Sequence, residues 1–437
     1  KWINTNKIAR VWEQMHLAWE YNARQIWIVN VGDIKPMELP ISFFLDYAWN
    51  PDKIGAKELL SYTEQWAAAQ FGNSHTKEIA AILTAYTKYN ARRKPELLDA
   101  NTYSLHYDEW AKVVKEYNEL LKKTLAVNDR LDAAYKDAFF QLVLFPVMAG
   151  ANLNEMYYNV ALNKQAYDNK WEAANSYADK VKTLFQYDSL ITLQYHRINN
   201  GKWNHMMSQT HIGYTYWQQP AVQKMPELYY VSPDSIQQNI SFPVADVAHS
   251  IVPENAEQPA FYEDEESGVS MEATHFTRAV HSNGINWTVI PELGRTLSSI
   301  TPFPVTAPGQ QPGGNSPHLE YDFYTFSKGN FTVQAFCSPT LNFHNTAEGL
   351  QYAISIDDEI PQIISLNKGD AISNSGIWNR WVAENIIIKK SSHTIKKAGR
   401  HTLKFWMVDP AVVLQKLVVD FGHLKSTYLG PPETIAQ

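Results

Sequence analysis

The sequence predicts a multidomain α and β chain, in which the end of a (β/α)8 barrel is followed by an α-helical bundle and an antiparallel β-sandwich. Three observations predict this order: a short apolar run near residue 26, helical periodicity beyond residue 52, and period-two alternation beyond residue 267. We therefore expect a barrel remnant at 1–51, the bundle at 52–226, a linker or wrapping segment at 227–266, and the sandwich at 267–437.

The first 51 residues have the helix, strand, helix order of a barrel. Ile8, Trp12 and Met15 recur at helical spacing, and residues 26–29 form a continuous apolar run within a predicted strand at 26–31. Such a run is typical of a strand that is covered on both faces. The later sequence does not repeat the strand-helix pattern, so we expect the other barrel strands to precede residue 1.

Polar side chains follow the predicted strand. Asn30, Asp33, Lys35 and Glu38 lie within nine residues. Since barrel enzymes meet their ligands at the carboxyl ends of the strands, we predict that these four residues bind the substrate. In the alternative interpretation, Asp33 and Glu38 cap the following helix and Lys35 pairs with one of them.

Residues 52–226 are predicted to be helical because their apolar side chains recur every three or four positions. One face contains Ile79, Ile82, Leu83 and Tyr86, and two more contain Trp110, Val113, Val114, Tyr117, Leu121 and Trp171, Ala174, Ala178, Val181, Phe185. The tryptophans of this region, such as Trp66, Trp110 and Trp171, would also suit a subunit interface, so we expect a homodimer.

A second polar and aromatic cluster occurs near the end of the helical region. His205, His211, Tyr214 and Trp217 are candidates for secondary sugar contacts. A packing layer that satisfies buried polar groups is the favoured alternative. The separation of the two histidines differs from the i, i+4 spacing of helical zinc motifs, so we expect no metal and no cofactor.

Composition excludes several classes of function. The net charge is −7 and no basic patch occurs, which argues against a nucleic-acid partner. The sequence contains no run of about 18 apolar residues, so we expect no membrane span. The one cysteine, Cys337, excludes an intramolecular disulfide. The 14 tryptophans and 24 tyrosines fit stacking on sugar rings, although large cores use them too.

Beyond residue 267, alternating strands are separated by Gly and Pro turns. Apolar side chains alternate with polar ones at Leu319, Tyr321, Phe323; at Tyr352, Ile354, Ile356; and at Leu403, Phe405, Met407. This pattern predicts an antiparallel sandwich. Four tryptophans of the region are candidates for a sugar platform: Trp287, Trp378, Trp381 and Trp406.

Four long motifs resemble the C-terminal half of glycoside hydrolase family 115, the xylan α-1,2-glucuronidases. They are KWINTNKIARVWEQM at 1–15, IWIVNVGDIKPMELP at 26–40, GKWNHMMSQTHIGYTYWQQP at 201–220, and GRHTLKFWMVDPAVVLQKLVVDFG at 399–422. One departure is Ser208, where the family is expected to have an acidic residue. Residues 269–276 also resemble the first strand of carbohydrate-binding sandwiches, whose acidic residue, here Glu272, can ligate calcium.

The resemblance implies hydrolysis of (4-O-methyl)glucuronic acid side chains from glucuronoxylan or xylo-oligosaccharides, with inversion. Lys35 would then offset the negative charge of the uronate. The family's catalytic acid and base are expected upstream, so this chain alone is expected to be inactive. A polysaccharide substrate implies a periplasmic or extracellular location. The alternative is a non-catalytic carbohydrate-binding or dimerisation module.

Overall fold

The computed structural model describes residues 2–215, 218–235, 260–369 and 376–435. It divides into two compact units. The first comprises Lys1–Lys7, Val29–Asp46 and Glu58–Ala248, and the second comprises Ile8–Ile28, Tyr47–Lys57 and His249–Gln437. Every helix within the described residues is too short or too polar to span a bilayer.

The described α-helices between residues 59 and 201 agree with the helical periodicity that the sequence shows beyond residue 52. The full set of described α-helices is as follows. They are α1 (Ile8–Glu20), α2 (Glu38–Trp49), α3 (Leu59–Phe71), α4 (Thr76–Arg92), α5 (Glu109–Arg130), α6 (Lys136–Phe139), α7 (Phe145–Asp168), α8 (Ala173–Gly201) and α9 (Gly376–Glu384). A π-helical turn, Phe140–Leu144, joins α6 to α7.

Helices α3 to α8 form the body of the first unit. The predicted faces of α4 and α5 are buried, with Ile79, Tyr86, Trp110 and Tyr117 at 0–1% exposure. Helix α7 packs against α4, α5 and α8, so most of its residues are buried, and these include Asn152, Asn154, Asn159 and Asn163. The helical prediction for this region is therefore confirmed.

The N-terminal segment of the first unit is anchored among these helices. Asn90 Nδ2 donates to the carbonyl oxygen of Asn4 at 3.1 Å, and Asn90 Oδ1 accepts from Tyr117 OH at 2.7 Å. Trp2 is fully buried. These contacts fix the backbone that leads into the candidate site.

The start of the predicted linker wraps along α7 and α8. Asn163 exchanges two hydrogen bonds with the backbone of Tyr229, and Asn175 does the same with Val231, at distances of 2.8–3.0 Å. Each carboxamide thus donates to the carbonyl oxygen and accepts from the N–H group of one linker residue, as a neighbouring strand would. Residues 236–259 of the predicted linker lie outside the described residues.

Two tryptophans expected at a subunit interface are instead internal. Trp66 and Trp110 are 8% and 0% exposed within one chain. Trp171 is half-buried and packs against a small cluster with Ala166, Ala174 and Val231. Trp66 and Trp110 are therefore core residues, and the homodimer stays a prediction without them.

The strand predicted at residues 26–31 is wrong. These residues have no strand assignment, and Ile26 and Ile28 are 78% and 92% exposed. A strand that is covered on both faces needs hydrogen-bonded neighbours. No described strand pairs with this segment, and Trp27 packs against the rings of Trp19 and Tyr47 while its isoleucine neighbours face solvent.

The second unit contains two six-stranded sheets. Its described strands are β1 (Phe261–Tyr262), β2 (Val269–Glu272), β3 (Arg278–Val280), β4 (Asn286–Ile290), β5 (Ser299–Phe303), β6 (His318–Thr325), β7 (Gly329–Cys337), β8 (Gln351–Ile356), β9 (Gln362–Ser365), β10 (Ile387–Ile395), β11 (Gly399–Met407) and β12 (Leu414–Asp420). The first sheet has the order β1-β6-β11-β8-β9, with β3 also on β6. The second has the order β10-β7-β12-β5-β4, with β2 also on β12.

Both sheets contribute side chains to one hydrophobic core. Leu319, Tyr321, Phe323, Leu403 and Phe405 lie in it, as the alternation predicted. Pairing is antiparallel except between β1 and β6, and Leu403 lies opposite both Tyr321 and Ile356. Cys337 is a buried free thiol, and burial raises its pKa.

Helix α1 packs within the second unit. Leu17 clusters with Val305 and Ala411, Tyr21 OH donates to the carbonyl oxygen of Val305 at 3.1 Å, and Arg10 donates to the carbonyl oxygen of Pro339. This grouping differs from the predicted domain at 1–51. The helix was predicted correctly, but its apolar face packs against the loops of the sheet unit.

The predicted sugar platform does not form as a set. Trp287, Trp381 and Trp406 are only 4–9% exposed, and Trp378 packs against the core of the second unit. Glu272 is also engaged: Oε1 lies 3.1 Å from Lys416 Nζ and Oε2 accepts from Thr296 Oγ1 at 2.9 Å. Both oxygen atoms of this carboxylate are therefore engaged by side chains of the same unit.

Candidate substrate-binding site

The predicted loop lies in the first unit and exposes two of its polar side chains. Asn30 Oδ1 accepts from the N–H of Gly32 at 3.0 Å, and Gly32 has φ of 63°, a left-handed conformation that glycine adopts readily. Asn30 and Asp33 are exposed. Asp33 Oδ2 accepts from Gln209 Nε2 at 3.3 Å, so it contacts the segment after α8 rather than capping α2.

Lys35 and Glu38 form an ion pair at the C-terminal end of the loop. Lys35 Nζ lies 2.5 Å from Glu38 Oε1 and 4.2 Å from the centroid of the Trp203 ring. Their side chains are only 17% and 21% exposed. Glu38 also lies in the first turn of α2, where the helix dipole favours a carboxylate. The alternative interpretation of the sequence included this pairing of Lys35 with one of the two carboxylates, here Glu38.

Gln141 provides a second donor to Glu38. It belongs to the π-helical turn, and its Nε2 donates to Glu38 Oε1 at 3.3 Å. Glu38 Oε2 is buried and has no hydrogen-bond partner among the described residues. The nearby phenol of Tyr195 has a raised pKa, because of burial first and the charge of Glu38 second. Glu38 thus holds the Lys35 ammonium through Oε1, whereas its other carboxylate oxygen, Oε2, has no donor among the described residues.

The segment after α8 faces this loop. The ammonium groups of Lys35 and Lys202 both lie over the Trp203 ring, at 4.2 Å and 4.9 Å from its centroid. His205 is exposed, and its Nδ1 lies 3.3 Å from Ser208 Oγ. Ser208, the one departure from the expected motif, therefore contacts a predicted site residue directly.

His211 is buried rather than presented to solvent. Its Nδ1 lies 3.0 Å from Asp188 Oδ1, and its ring stacks on Trp2 with centroids 3.7 Å apart. Gln223 Nε2 donates to Asp188 Oδ2, and its Oε1 accepts from the N–H groups of His211 and Ile212, all at 2.7 Å. This arrangement is the packing layer that the sequence offered as the favoured alternative. The predicted sugar contact by His211 stays a prediction, and this burial does not favour it.

Tyr214 has an intermediate environment. It is half-buried, its hydroxyl donates to the carbonyl oxygen of Thr210 at 3.1 Å, and burial raises its pKa. Trp217 lies outside the described residues. Sugar contacts by Tyr214 and Trp217 therefore stay predictions.

The structure thus brings Asp33, Lys35 and Glu38 together with residues 203–209 of the same unit. Sequence reasoning missed Gln141, Trp203 and Gln209 as contacts of the loop. Trp203 and Gln209 lie within the third recognised motif, which was a usable signal. Gln141 follows two phenylalanines in an apolar stretch, and its role depends on a π-helical turn that periodicity does not reveal.

This arrangement presents one cation and several oxygen acceptors, and both of its carboxylates, Asp33 and Glu38, are engaged by neighbouring side chains. Lys35 offers a fixed cation, whereas Asn30 and Asp33 offer exposed oxygen atoms to hydroxyl groups. Glu38 is committed to Lys35 and Gln141. Across residues 2–215, 218–235, 260–369 and 376–435, no group of three His, Cys, Asp or Glu side chains could hold a metal ion.

Two family models match the two ends of the chain. Residues 1–97 match glycosyl hydrolase family 115, and residues 260–433 match the glycosyl hydrolase family 115 C-terminal domain. Both models describe one family of glycosyl hydrolases. The chain belongs to glycosyl hydrolase family 115, as the four motifs predicted.

A solved structure shows the same fold over most of the chain. A family GH115 4-O-methyl-α-glucuronidase with specificity for decorated arabinogalactans is 21% identical, with a TM-score of 0.69. The match covers 96% of this chain and 49% of the other, so the chain spans about half the length of that enzyme.

Smaller proteins match over about a third of the chain. A family 35 carbohydrate-binding module from Clostridium thermocellum is 12% identical, covering 35% of this chain and 97% of the module, with a TM-score of 0.24. A module from Clostridium stercorarium, solved with cellobiose, is also 12% identical, covering 35% of this chain and 92% of its own, with a TM-score of 0.21. No curated protein matches the chain.

Proposed function

We propose that this chain is part of an α-glucuronidase, which hydrolyses glucuronic acid or 4-O-methylglucuronic acid side chains from a polysaccharide. The observation that supports this most strongly is the match of family 115 models at both ends of the chain. The similar solved protein of the same fold is a 4-O-methyl-α-glucuronidase.

In this proposal the loop at 30–38 recognises the sugar acid. Lys35 binds the uronate carboxylate, because its ammonium is held in place by Glu38 and by the face of Trp203. A charge-assisted hydrogen bond of this kind contributes about 1.5–3 kcal/mol. Asn30 and Asp33 accept hydrogen bonds from sugar hydroxyl groups. Glu38 acts as a positioning residue, since its pairing with Lys35 fixes the ammonium.

We propose glucuronoxylan as the substrate. The similar solved enzyme has specificity for decorated arabinogalactans, so that polysaccharide is the competing substrate class. The two differ in the backbone that carries the acid and share the acid itself. Recognition of the carboxylate by Lys35 is expected to be the same for both.

Hydrolysis with inversion needs two carboxyl groups about 6.5–9.5 Å apart, whereas retention needs about 5–5.5 Å. We propose that the acid and base are residues other than Asp33 and Glu38, because Asp33 is bound by Gln209 and Glu38 by Lys35. The 437 residues alone are then inactive, and these loop residues act only when the catalytic carboxylates are supplied.

The test measures free (4-O-methyl)glucuronic acid released from glucuronoxylan and from decorated arabinogalactan. The 437-residue chain is assayed beside the smallest active form of the protein that contains it. Proton NMR of the first product follows the anomeric configuration. The proposal expects acid from glucuronoxylan by the larger form only, first as the inverted anomer. Release of neutral sugars alone, or of no sugar, would contradict it and favour a binding module.

We also propose a periplasmic or extracellular location and a homodimer. The location follows from a polymeric substrate. Sedimentation velocity across a hundredfold range of concentration tests the dimer, and a constant monomer coefficient would exclude it.

A further inference from the structure

A cleft of about 440 Å³ opens at the C-terminal end of α8 in the first unit. Its lining consists of Leu193, His196, Arg197, Asn200, Gly201 and Asn204. None of these six side chains is acidic. The cleft contains no residue of the loop at 30–38, and of the segment at 203–209 that faces the loop it shares Asn204.

Arg197 provides an unpaired cation in this cleft. Its side chain is exposed, and no hydrogen bond or ion pair to it exists among the described residues. Other arginines of the same unit are occupied: Arg92 pairs with Glu116, and Arg130 pairs with Glu78. A free guanidinium presents a planar fork of donors that matches a carboxylate with two parallel hydrogen bonds.

The other lining groups suit hydroxyl groups and an apolar ring face. His196 Nε2 accepts from the N–H of Met207 at 3.2 Å, so the proton of the neutral ring resides on Nδ1. Asn200 and Asn204 add carboxamides with both donors and acceptors. Leu193 is 48% exposed and offers an apolar surface beside them.

The backbone adopts an unusual conformation to build this wall. Asn199, Asn200 and Gly201 have φ of 49°, 56° and 77°, three successive left-handed residues. Each non-glycine residue in this region carries a conformational cost, which the surrounding contacts must offset. Asp137 supplies one such contact, because its Oδ2 accepts from the N–H of Asn199 at 2.8 Å. The turn brings Asn200 and Asn204 to the cleft that Arg197 borders.

From these groups we infer that the cleft binds a sugar acid, with Arg197 on the carboxylate and Asn200, Asn204 and His196 on the hydroxyl groups. The ligand class is a carboxylate carried on a polyhydroxylated ring. This inference does not depend on the hydrolysis proposed above, since it uses no residue of the loop.

The experiment titrates the full 437-residue chain with sodium glucuronate, followed by saturation-transfer difference NMR. Acetate and glucose are the matched probes for the carboxylate alone and the hydroxyl groups alone. Glucuronate is expected to bind at least tenfold more tightly than either. Arg197→Gln is expected to weaken glucuronate binding about tenfold or more, and Arg197→Lys by less, because the lysine retains the charge without the fork.

Arg130→Gln is the control, since it removes an exposed arginine that pairs with Glu78. The same titration of Lys35→Gln separates the two sites, because this variant removes the ammonium of the loop site and alters no residue that lines the cleft. Thermal unfolding confirms that each variant is folded. The inference is overturned if acetate binds as tightly as glucuronate, or if Arg197→Gln binds like the unchanged chain. Loss of binding in Lys35→Gln alone would assign the signal to the loop site instead.

Discussion

Burial and pairing distinguish the side chains of the candidate site that can meet a ligand from those that support them. Lys35 retains a partly exposed ammonium above Glu38, whereas His211 is enclosed by Trp2, Asp188 and Gln223. The sequence predicted a sugar contact for both residues, because each is polar and lies in a recognised motif. It could not separate them, since burial depends on contacts between residues far apart in the chain.

Asp188→Ala is expected to lower the free energy of unfolding of the chain. Asp188 is 1% exposed and accepts from His211 Nδ1 and Gln223 Nε2. Each buried group that loses its partner costs about 1–3 kcal/mol. Urea unfolding followed by tryptophan fluorescence measures the change. Asp188→Asn keeps an acceptor oxygen and should lose less, and equal stability of Asp188→Ala and the unchanged chain would contradict this description of the site.

Gly150→Ala is expected to destabilise the first unit, because α7 passes close to α5 at this position. An added Cβ would lie 2.8 Å from Tyr117 Cε1 and 3.1 Å from Asn90 Oδ1. Overpacking of this kind costs about 1–3 kcal/mol. Urea unfolding provides the test, with Gly376→Ala in α9 as the control, since among the described residues a Cβ there meets nothing within 4 Å. A stability gain at Gly150 would show that the contact between these helices is looser than described.

At the scale of the element, local pattern predicts helices and core strands well and fails where the element needs a distant partner. The α4 and α5 faces and the alternation of β6 and β11 follow from periods of 3.6 and 2, which the sequence displays directly. The segment at 26–31 has the composition of a buried strand and no described neighbour to pair with. The predicted tryptophan platform failed for a related reason, because composition does not state which face of a strand is covered.

Ile28→Ala is expected to leave the stability of the chain within about 0.5 kcal/mol of the unchanged value, as for other exposed positions. Ile28 is 92% exposed, whereas Ile354 of the same unit is 1% exposed. Ile354→Ala should therefore cost about 2–5 kcal/mol. Chemical denaturation of both variants tests the pair. A large loss at Ile28 would restore the buried-strand interpretation of this segment.

Strand β6 contains a carboxylate that couples stability to pH. The pKa of Glu320 is lowered from 4.5 to about 2, chiefly by its hydrogen bonds from Arg278, with His318 adding to the shift and burial opposing it. A carboxyl whose pKa is lower in the folded state stabilises the fold above its unfolded pKa. That contribution is lost as the pH falls from about 4.5 towards 2.

Glu320→Gln should therefore be less stable than the unchanged chain at pH 6, and the difference should shrink as the pH approaches 2. Arg278→Gln should behave similarly, because it removes the principal cause of the lowered pKa. Urea unfolding at a series of pH values measures both differences. A difference that stays constant over this range would contradict the coupling.

At the scale of the whole molecule, the chain divides into a helical unit and a unit of two sheets, in the order that periodicity predicted. The exact grouping was not predictable, because α1 and residues 47–57 belong to the second unit although they flank a segment of the first. Chain order cannot show such an exchange. The family, by contrast, was recognisable from four motifs, and models of it match both ends of the chain.

The central claim is that Lys35 recognises the carboxylate of a glucuronic acid side chain. The most direct measurement compares kcat/KM for an oligosaccharide that carries the acid with kcat/KM for its carboxyl-reduced analogue, in the smallest active form containing these residues. Lys35→Gln is expected to lower the first value about 10- to 100-fold and to leave the second nearly unchanged, since a charged hydrogen bond of about 1.5–3 kcal/mol is lost only with the acid. Equal effects on both substrates, or no effect on either, would contradict the claim.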